Sequence, residues 1–279
     1  MTENVCECTV EGCDMFDFMA DHVGLTVLHP GGLKATRRLA ESCHLSEHTR
    51  VIDIACGKGT GATYLAQTYG CEVVGVDISE SLIAQATALA KQKGLEGKVS
   101  FRVGDAHDLS FLDDEFDAAI SQAMLVLVED KQKVVEEALR VTKPGGYLGW
   151  LELSWRKQPT AEFLGEASDV LCAICMQNVD TFQDWEQLFR QAGVSQLETQ
   201  SFVLERNGLS DMLANEGLVN TGRVMLKRVT NAQIGKRMST LNGFFKDHPE
   251  FFGYGIYVGR SNRSGDQLPE IAPAITRPA

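Results

Sequence analysis

The sequence has no apolar run of ~18 residues, so no membrane span is expected. No basic stripe stands out either. Lys and Arg number 26 against 38 Asp and Glu, for a formal net charge of −12 at pH 7. A nucleic-acid footprint needs clustered positive charge, so neither nucleic acid nor a membrane is an expected partner. The N-terminus, MTENVCECTVEGCDMF, lacks a basic region followed by an apolar one and does not read as a signal peptide. A cytoplasmic protein with its eight cysteines reduced is the expectation. Internal repeats are missing too. What remains is ordinary for a globular enzyme: 279 residues, 44% hydrophobic and 23% charged, long enough to bury a good core.

From residue 50 the pattern alternates. RVIDIA, CEVVGVDIS, VSFRVGDA, FDAAISQ and YLGWLELSW read as strands, with amphipathic helices between them. Near-continuous apolar strands separated by helices predict an α/β fold, a doubly wound and mostly parallel seven-stranded sheet covered on both faces. Before it, 1–47 reads as an N-terminal helical cover. The core takes 48–206 and 251–260, with a helical insert at about 156–178. Residues 207–250 interrupt the last two strands, LETQSFVLE and GYGIYVGR, and read as a helical cap. The Pro-rich, aperiodic segment 261–279 is expected to be a disordered tail.

The chemistry starts in VIDIACGKGTG. A glycine-rich turn between a strand and a helix exposes backbone to a ligand. Dinucleotide sites space their glycines G-x-G-x-x-G. Here the order is Ala55-x-Gly57-x-Gly59-x-Gly61, with Asp53 two residues ahead. An acid there is unfavourable beside a pyrophosphate and suits a cationic ligand. Asp77 ends the next strand and could accept both hydroxyls of a ribose. Asp105, after the third strand, could accept the exocyclic amine of an adenine. The three together fit an adenosine carrying a positively charged, amino-acid-like group.

These residues resemble the class I S-adenosylmethionine-dependent methyltransferases. VIDIACGKGTG matches their glycine-rich first motif, VVGVDIS the ribose-binding acid and GDAHDL the adenine-binding motif. FDAAISQAMLVLV matches their fourth strand, and ALRVTKPGGYLGWLE the helix, turn and fifth strand. Ala55 departs from the usual glycine. The resemblance implies a Rossmann-like fold and S-adenosyl-L-methionine as cofactor, with S-adenosyl-L-homocysteine as product. It implies cofactor contacts from Asp53, Ala55, Gly57, Gly59, Asp77, Ile78, Asp105, Ala106 and Gln122. The implied reaction is an in-line methyl transfer to a small-molecule acceptor, governed mostly by alignment.

The acceptor is expected beyond the ends of strands four and five, near Ser121, Gln122, Ala123, Glu152, Ser154 and Trp155. Glu152 is the candidate base or cation anchor, His29 in LHPGG a second candidate catalytic group, and Trp155 a candidate pocket wall. Cys172 and Cys175 in CAIC are either inert core thiols or acceptor-pocket ligands for a soft metalloid. The second option rests on a looser similarity to the arsenite methyltransferases. No resident metal is expected, because no partner pair accompanies this Cys-x-x-Cys. A non-catalytic donor-binding or metal-sensing protein is a further alternative. The oligomeric state is left open.

Overall fold

The computed structural model of the chain describes residues 15–171, 173–204 and 208–262. Its centre is one sheet of eight strands: β1 (Arg50–Ile54), β2 (Glu72–Asp77), β3 (Val99–Val103), β4 (Phe116–Gln122), β5 (Thr142–Trp155), β6 (Asp180–Thr181), β7 (Val194–Val203) and β8 (Phe252–Ser261). The order is β3-β2-β1-β4-β5-β8-β7, with the two-residue β6 pairing beside the end of β5. The first six strands pair in parallel, and β8 runs antiparallel to both β5 and β7. The expected seven strands form the continuous path, and β6 is an addition too short to carry a pattern of its own.

The strands are apolar throughout because both faces are covered. Val51 faces one core with Leu39, Leu65 and Ile120, while Ile52 and Ile54 face the other with Trp150, Trp185 and Phe189. The helices follow the alternation: α3 (Thr60–Tyr69), α4 (Glu80–Gln92), α5 (Lys131–Val141) and α8 (Phe182–Gln191). The chain builds β1, β2 and β3 outward on one side, then returns to add β4 and β5 on the other. The strand order therefore reverses between β1 and β4, and a crevice opens beyond their carboxyl ends.

At the N-terminus, α1 (Met15–Asp17) runs into a π-helical stretch, Phe18–Val23, followed by α2 (Gly32–Ser42). Helix α2 packs on the sheet, with Ala35, Thr36, Leu39 and Ala40 buried. The part that covers the strand ends is thus confined to the residues before it. The helical insert expected at about 156–178 forms α6 (Ala161–Val170) and α7 (Ala173–Asn178), parted at Leu171, whose φ of −101° and ψ of −80° leave the helical region. Residues 207–250 contribute α9 (Leu209–Thr230) and α10 (Ala232–Asp247). Asn231 ends the first of these and starts the second, accepting from the N–H groups of Gln233 and Ile234. Inside α9, Gly217 sits at φ 70°, ψ 170°, a break that helical periodicity alone did not suggest. An aromatic cluster ties the cap to the core: Phe163 stacks on Phe251 at 3.9 Å and on Phe244 at 5.8 Å. Strand β8 extends to Ser261, one residue into the expected tail; the rest of that segment, beyond 262, lies outside the described residues.

Candidate active site

A cavity of about 490 Å³ opens at the carboxyl ends of β1, β2 and β4, where the strand order reverses. Its floor is the turn after β1. Ala55 leaves the strand at φ 61° and Gly57 follows at φ 55°. Left-handed backbone costs an alanine roughly 1–2 kcal/mol, so the turn holds local strain beside the cavity. Ala55→Gly should therefore raise stability by about 0.5–1 kcal/mol, the gain being trimmed by glycine's greater freedom when unfolded. Urea denaturation checks this. Ala123, after β4, has φ 58° and also lines the cavity.

Gly59 starts α3 at φ 76°, and a Cβ there would lie 2.6 Å from the Phe101 ring and 2.8 Å from Ala86 Cβ. It shapes the turn without reaching the cavity wall. Gly59→Ala combines left-handed strain with overpacking, so a loss of about 2–3 kcal/mol is expected in the same denaturation experiment.

Two carboxylates share this wall. Asp77, at the end of β2, accepts from Gly57 N at 2.9 Å through Oδ2 and from Ser79 N at 3.0 Å through Oδ1. The helix-cap role belongs to Ser79, whose hydroxyl accepts from Leu82 N. Asp53 is 2% exposed. Burial, reinforced by the negative charge of Asp77, pushes its pKa up to about 7. A cation in the cavity would offset both effects.

The far wall comes from the N-terminal segment. His29 Nε2 lies 3.1 Å from Thr36 Oγ1, and the Thr36 hydroxyl donates to Gln122 Oε1 at 2.7 Å. The other ring nitrogen, Nδ1, lies 3.3 Å from Pro30 O. Burial lowers the His29 pKa to about 4, against a small opposing effect of the Pro30 carbonyl. His29 is thus a neutral imidazole at physiological pH and too weak a base to hold a proton there. Lys58 Nζ donates to Ala20 O at 2.8 Å and ties this segment to the glycine turn. From α9, Glu216 accepts from Thr26 N at 2.9 Å, Val27 N at 3.1 Å and Thr26 Oγ1 at 3.0 Å. The cap thereby holds the residues that wall the cavity. Sequence reasoning missed Lys58, Thr36 and Glu216. Lys58 stood inside the glycine-rich motif and was open to notice; the other two act through distant partners.

Of the residues singled out from sequence, Asp53, Ala55, Gly57, Asp77, Gln122, Ala123 and His29 meet on this one cavity. Ile78 lies beside Asp77 but outside the wall, 73% exposed. Asp105 and Ala106 are also off the wall. Asp105 accepts from His107 N at 2.9 Å and pairs with Nδ1 at 2.7 Å, and these bonds hold its pKa below the usual carboxylate value.

Two expectations are corrected. Glu152 does not face the cavity; it is fully buried, and its Oε1 accepts from the N–H groups of Met124 and Leu125 at 3.2 and 3.1 Å. It lies on the same face of β5 as Trp150, which α8 covers through Phe189. Burial raises its pKa to about 8 despite those hydrogen bonds. Trp155 is a core residue, 3% exposed, packed on Phe163 and Phe252. Of the neighbouring hydroxyls, Ser154 Oγ lies 2.9 Å from Tyr257 Oη and Ser121 Oγ is buried. Cys172 and the side chain of Cys175 lie outside the described residues, as do Cys6, Cys8 and Cys13. The described cysteines, Cys43, Cys56 and Cys71, are buried thiols whose pKa values burial raises. Among the described residues no cluster of His, Cys, Asp and Glu could hold a metal ion.

A glycine turn and two carboxylates at a switch point fit several α/β enzymes. The family model for a methyltransferase domain decides among them, matching residues 45–193, from just before β1 to the end of α8. The chain belongs to the methyltransferase family. An uncharacterized protein of Haemophilus influenzae is 32% identical over 235 residues, 82% of this methyltransferase and 90% of that protein. Norajmaline N-methyltransferase of Rauvolfia serpentina is 37% identical over 127 residues, 45% of this chain and 44% of its own. Among solved structures, a Haemonchus contortus phosphoethanolamine N-methyltransferase, in complex with phosphomonomethylethanolamine and S-adenosylhomocysteine, superposes with a TM-score of 0.68 at 18% identity. That likeness covers 87% of this chain and 56% of the other. The match thus spans about half of each named enzyme.

Proposed function

We propose that this methyltransferase transfers a methyl group from S-adenosyl-L-methionine to a small-molecule acceptor. The observation that carries the reading is the pairing of Asp53 and Asp77 on one cavity wall, beside a glycine turn with open backbone. A Cβ built on Gly57 would meet nothing within 4 Å, so a ligand can approach that turn closely. The residues present fit the donor. Asp77 keeps lone pairs free for ribose hydroxyls while it holds the Gly57 amide. Asp53 supplies negative charge where a cationic group would lie. Leu82, Met124 and Leu127 give the cavity apolar surface. Gly59 would act by shaping the turn, and Ile78, Asp105 and Ala106 would complete the site around the ends of β2 and β3.

When bound, the donor supplies a methyl group activated by a positively charged sulfur. The chain's own part is to bind, align and exclude water. The His29–Thr36–Gln122 chain fixes the far wall, and the Glu216 grip on Thr26 and Val27 keeps that wall in place. Glu152 acts one layer deeper, holding the turn that presents Ala123 and Met124. Enclosure by the N-terminal segment favours a small acceptor over a polymer, as do the names of the related enzymes. No described helix is long and apolar enough to cross a membrane, and the cytoplasm is the proposed compartment.

The test is incubation with donor labelled in its methyl group and a fractionated metabolite extract. Label should enter a low-molecular-weight fraction, with one S-adenosylhomocysteine formed per methyl transferred. Label in protein or nucleic acid, or binding without turnover against every fraction, would refute the reading.

A further inference from the structure

The acidic net charge hides a local reversal. Residues 217–246 contain six basic residues, Arg223, Lys227, Arg228, Lys236, Arg237 and Lys246, and no acid, in a chain of net charge −12. All six lie in α9 and α10. Composition alone gave no basic stripe because acids elsewhere outweigh it.

The same cap exposes large apolar side chains. On α9, Leu218 is 79% exposed, Val219 69%, Leu226 63% and Val229 83%. At 3.6 residues per turn these four fall within an arc about 100° wide. Arg223 flanks it on one side, with Lys227 one turn further round, where its ammonium also donates to His22 O at 2.8 Å. The opposite side of the helix buries Thr221 and Val224 against the protein. Isolated exposed apolar residues are ordinary, but four on one arc with flanking cations form an amphipathic surface.

We propose that the outer face of α9 docks on an anionic phospholipid surface, with the helix lying in the interface plane. The apolar arc supplies side chains for the acyl boundary, and the cations match the negative headgroups. A second copy of the chain fits less well. Packing α9 against itself would bring Arg223 and Lys227 onto the same cations of the other copy. A nucleic acid would use the cations but leave the apolar arc in water. The inference does not depend on the methyl-transfer reading, since it needs neither donor nor acceptor.

Vesicle co-sedimentation of the full chain tests it. Wild type should partition onto phosphatidylglycerol–phosphatidylcholine vesicles, bind pure phosphatidylcholine about tenfold more weakly or worse, and dissociate at high salt. The double variant Leu226→Ser/Val229→Ser should lose affinity about tenfold or more, because it removes the buried methylenes. Arg223→Glu, which reverses the exposed cation beside the apolar arc, should lose about tenfold through charge. These side chains are exposed, so thermal melts should match wild type and exclude misfolding as the cause. Failure of wild type to bind, equal binding to both vesicle types, or unchanged binding by either variant would overturn the proposal. So would a dimer that Leu226→Ser dissociates, or tighter binding to nucleic acid than to vesicles.

Discussion

Asp77→Ala should weaken S-adenosylmethionine binding at least tenfold in titration calorimetry. Two losses add. The ligand's hydroxyls lose a charged acceptor, and hydrogen bonds to charged groups contribute about 1.5–3 kcal/mol. The Gly57 amide also loses its partner at 2.9 Å, so the turn that must approach the ligand is no longer held. Asp77→Asn keeps one carbonyl acceptor and should fall between wild type and alanine. The fold should survive both changes: the Ser79 amide loses its bond to Oδ1, but the Ser79 hydroxyl still accepts from Leu82 N and caps α4. A melt near that of wild type together with unchanged affinity would remove Asp77 from the donor site, and with it the main support for the cavity as that site.

The central sheet was legible because its inner strands are short, nearly continuous apolar runs separated by amphipathic helices. RVIDI, EVVGVD and FDAAISQ needed nothing else to be read as buried parallel strands. The donor side of the site was legible for the same reason: its residues are consecutive with the strand ends that carry them. The acceptor side was not. Period-2 alternation places Trp150, Glu152 and Ser154 on one face of β5, but it does not say which face a helix will cover. Helix α8 covers that face, and so Glu152 and Ser154 became interior groups. The wall of the cavity was equally hidden. Thr36 reaches Gln122 across 86 positions and Thr26 reaches Glu216 across 190, distances over which local pattern has no reach. Gly217 escaped notice because a single glycine inside a helical pattern is compatible with both a continuous and a broken helix.

The second large effect concerns pH and Glu152. Its folded pKa of about 8 lies well above the ordinary value of 4.5, chiefly through burial. The folded chain therefore holds this proton where the unfolded chain has released it. Its contribution to stability is fully present below pH ~4.5 and is lost as pH rises through about 8. Asp53, raised to about 7 from 3.8, acts in the same direction. His29 acts oppositely: lowered from 6.5 to about 4, it favours folding increasingly as pH rises to ~6.5 and is then constant. Asp117 and Glu137 have lowered values, so their contribution is fully present above pH ~5 and is lost only as pH falls below their ordinary values. Above pH ~6.5 the two raised carboxyls remain, and Glu152 is the last to ionise. Glu152→Gln keeps an oxygen for the Met124 and Leu125 amides and cannot ionise. Its stability relative to wild type should rise from pH 5 to pH 8, by an amount bounded at roughly 4 kcal/mol by the size of the shift. Asp53→Asn should gain similarly, with most of the gain reached by pH 7. Urea denaturation at pH 5, 6.5 and 8 measures both. Curves for Glu152→Gln and wild type that stay parallel across this range would mean that Glu152 is already ionised in the folded chain, and that the turn at Ala123 and Met124 is held by a charged carboxylate.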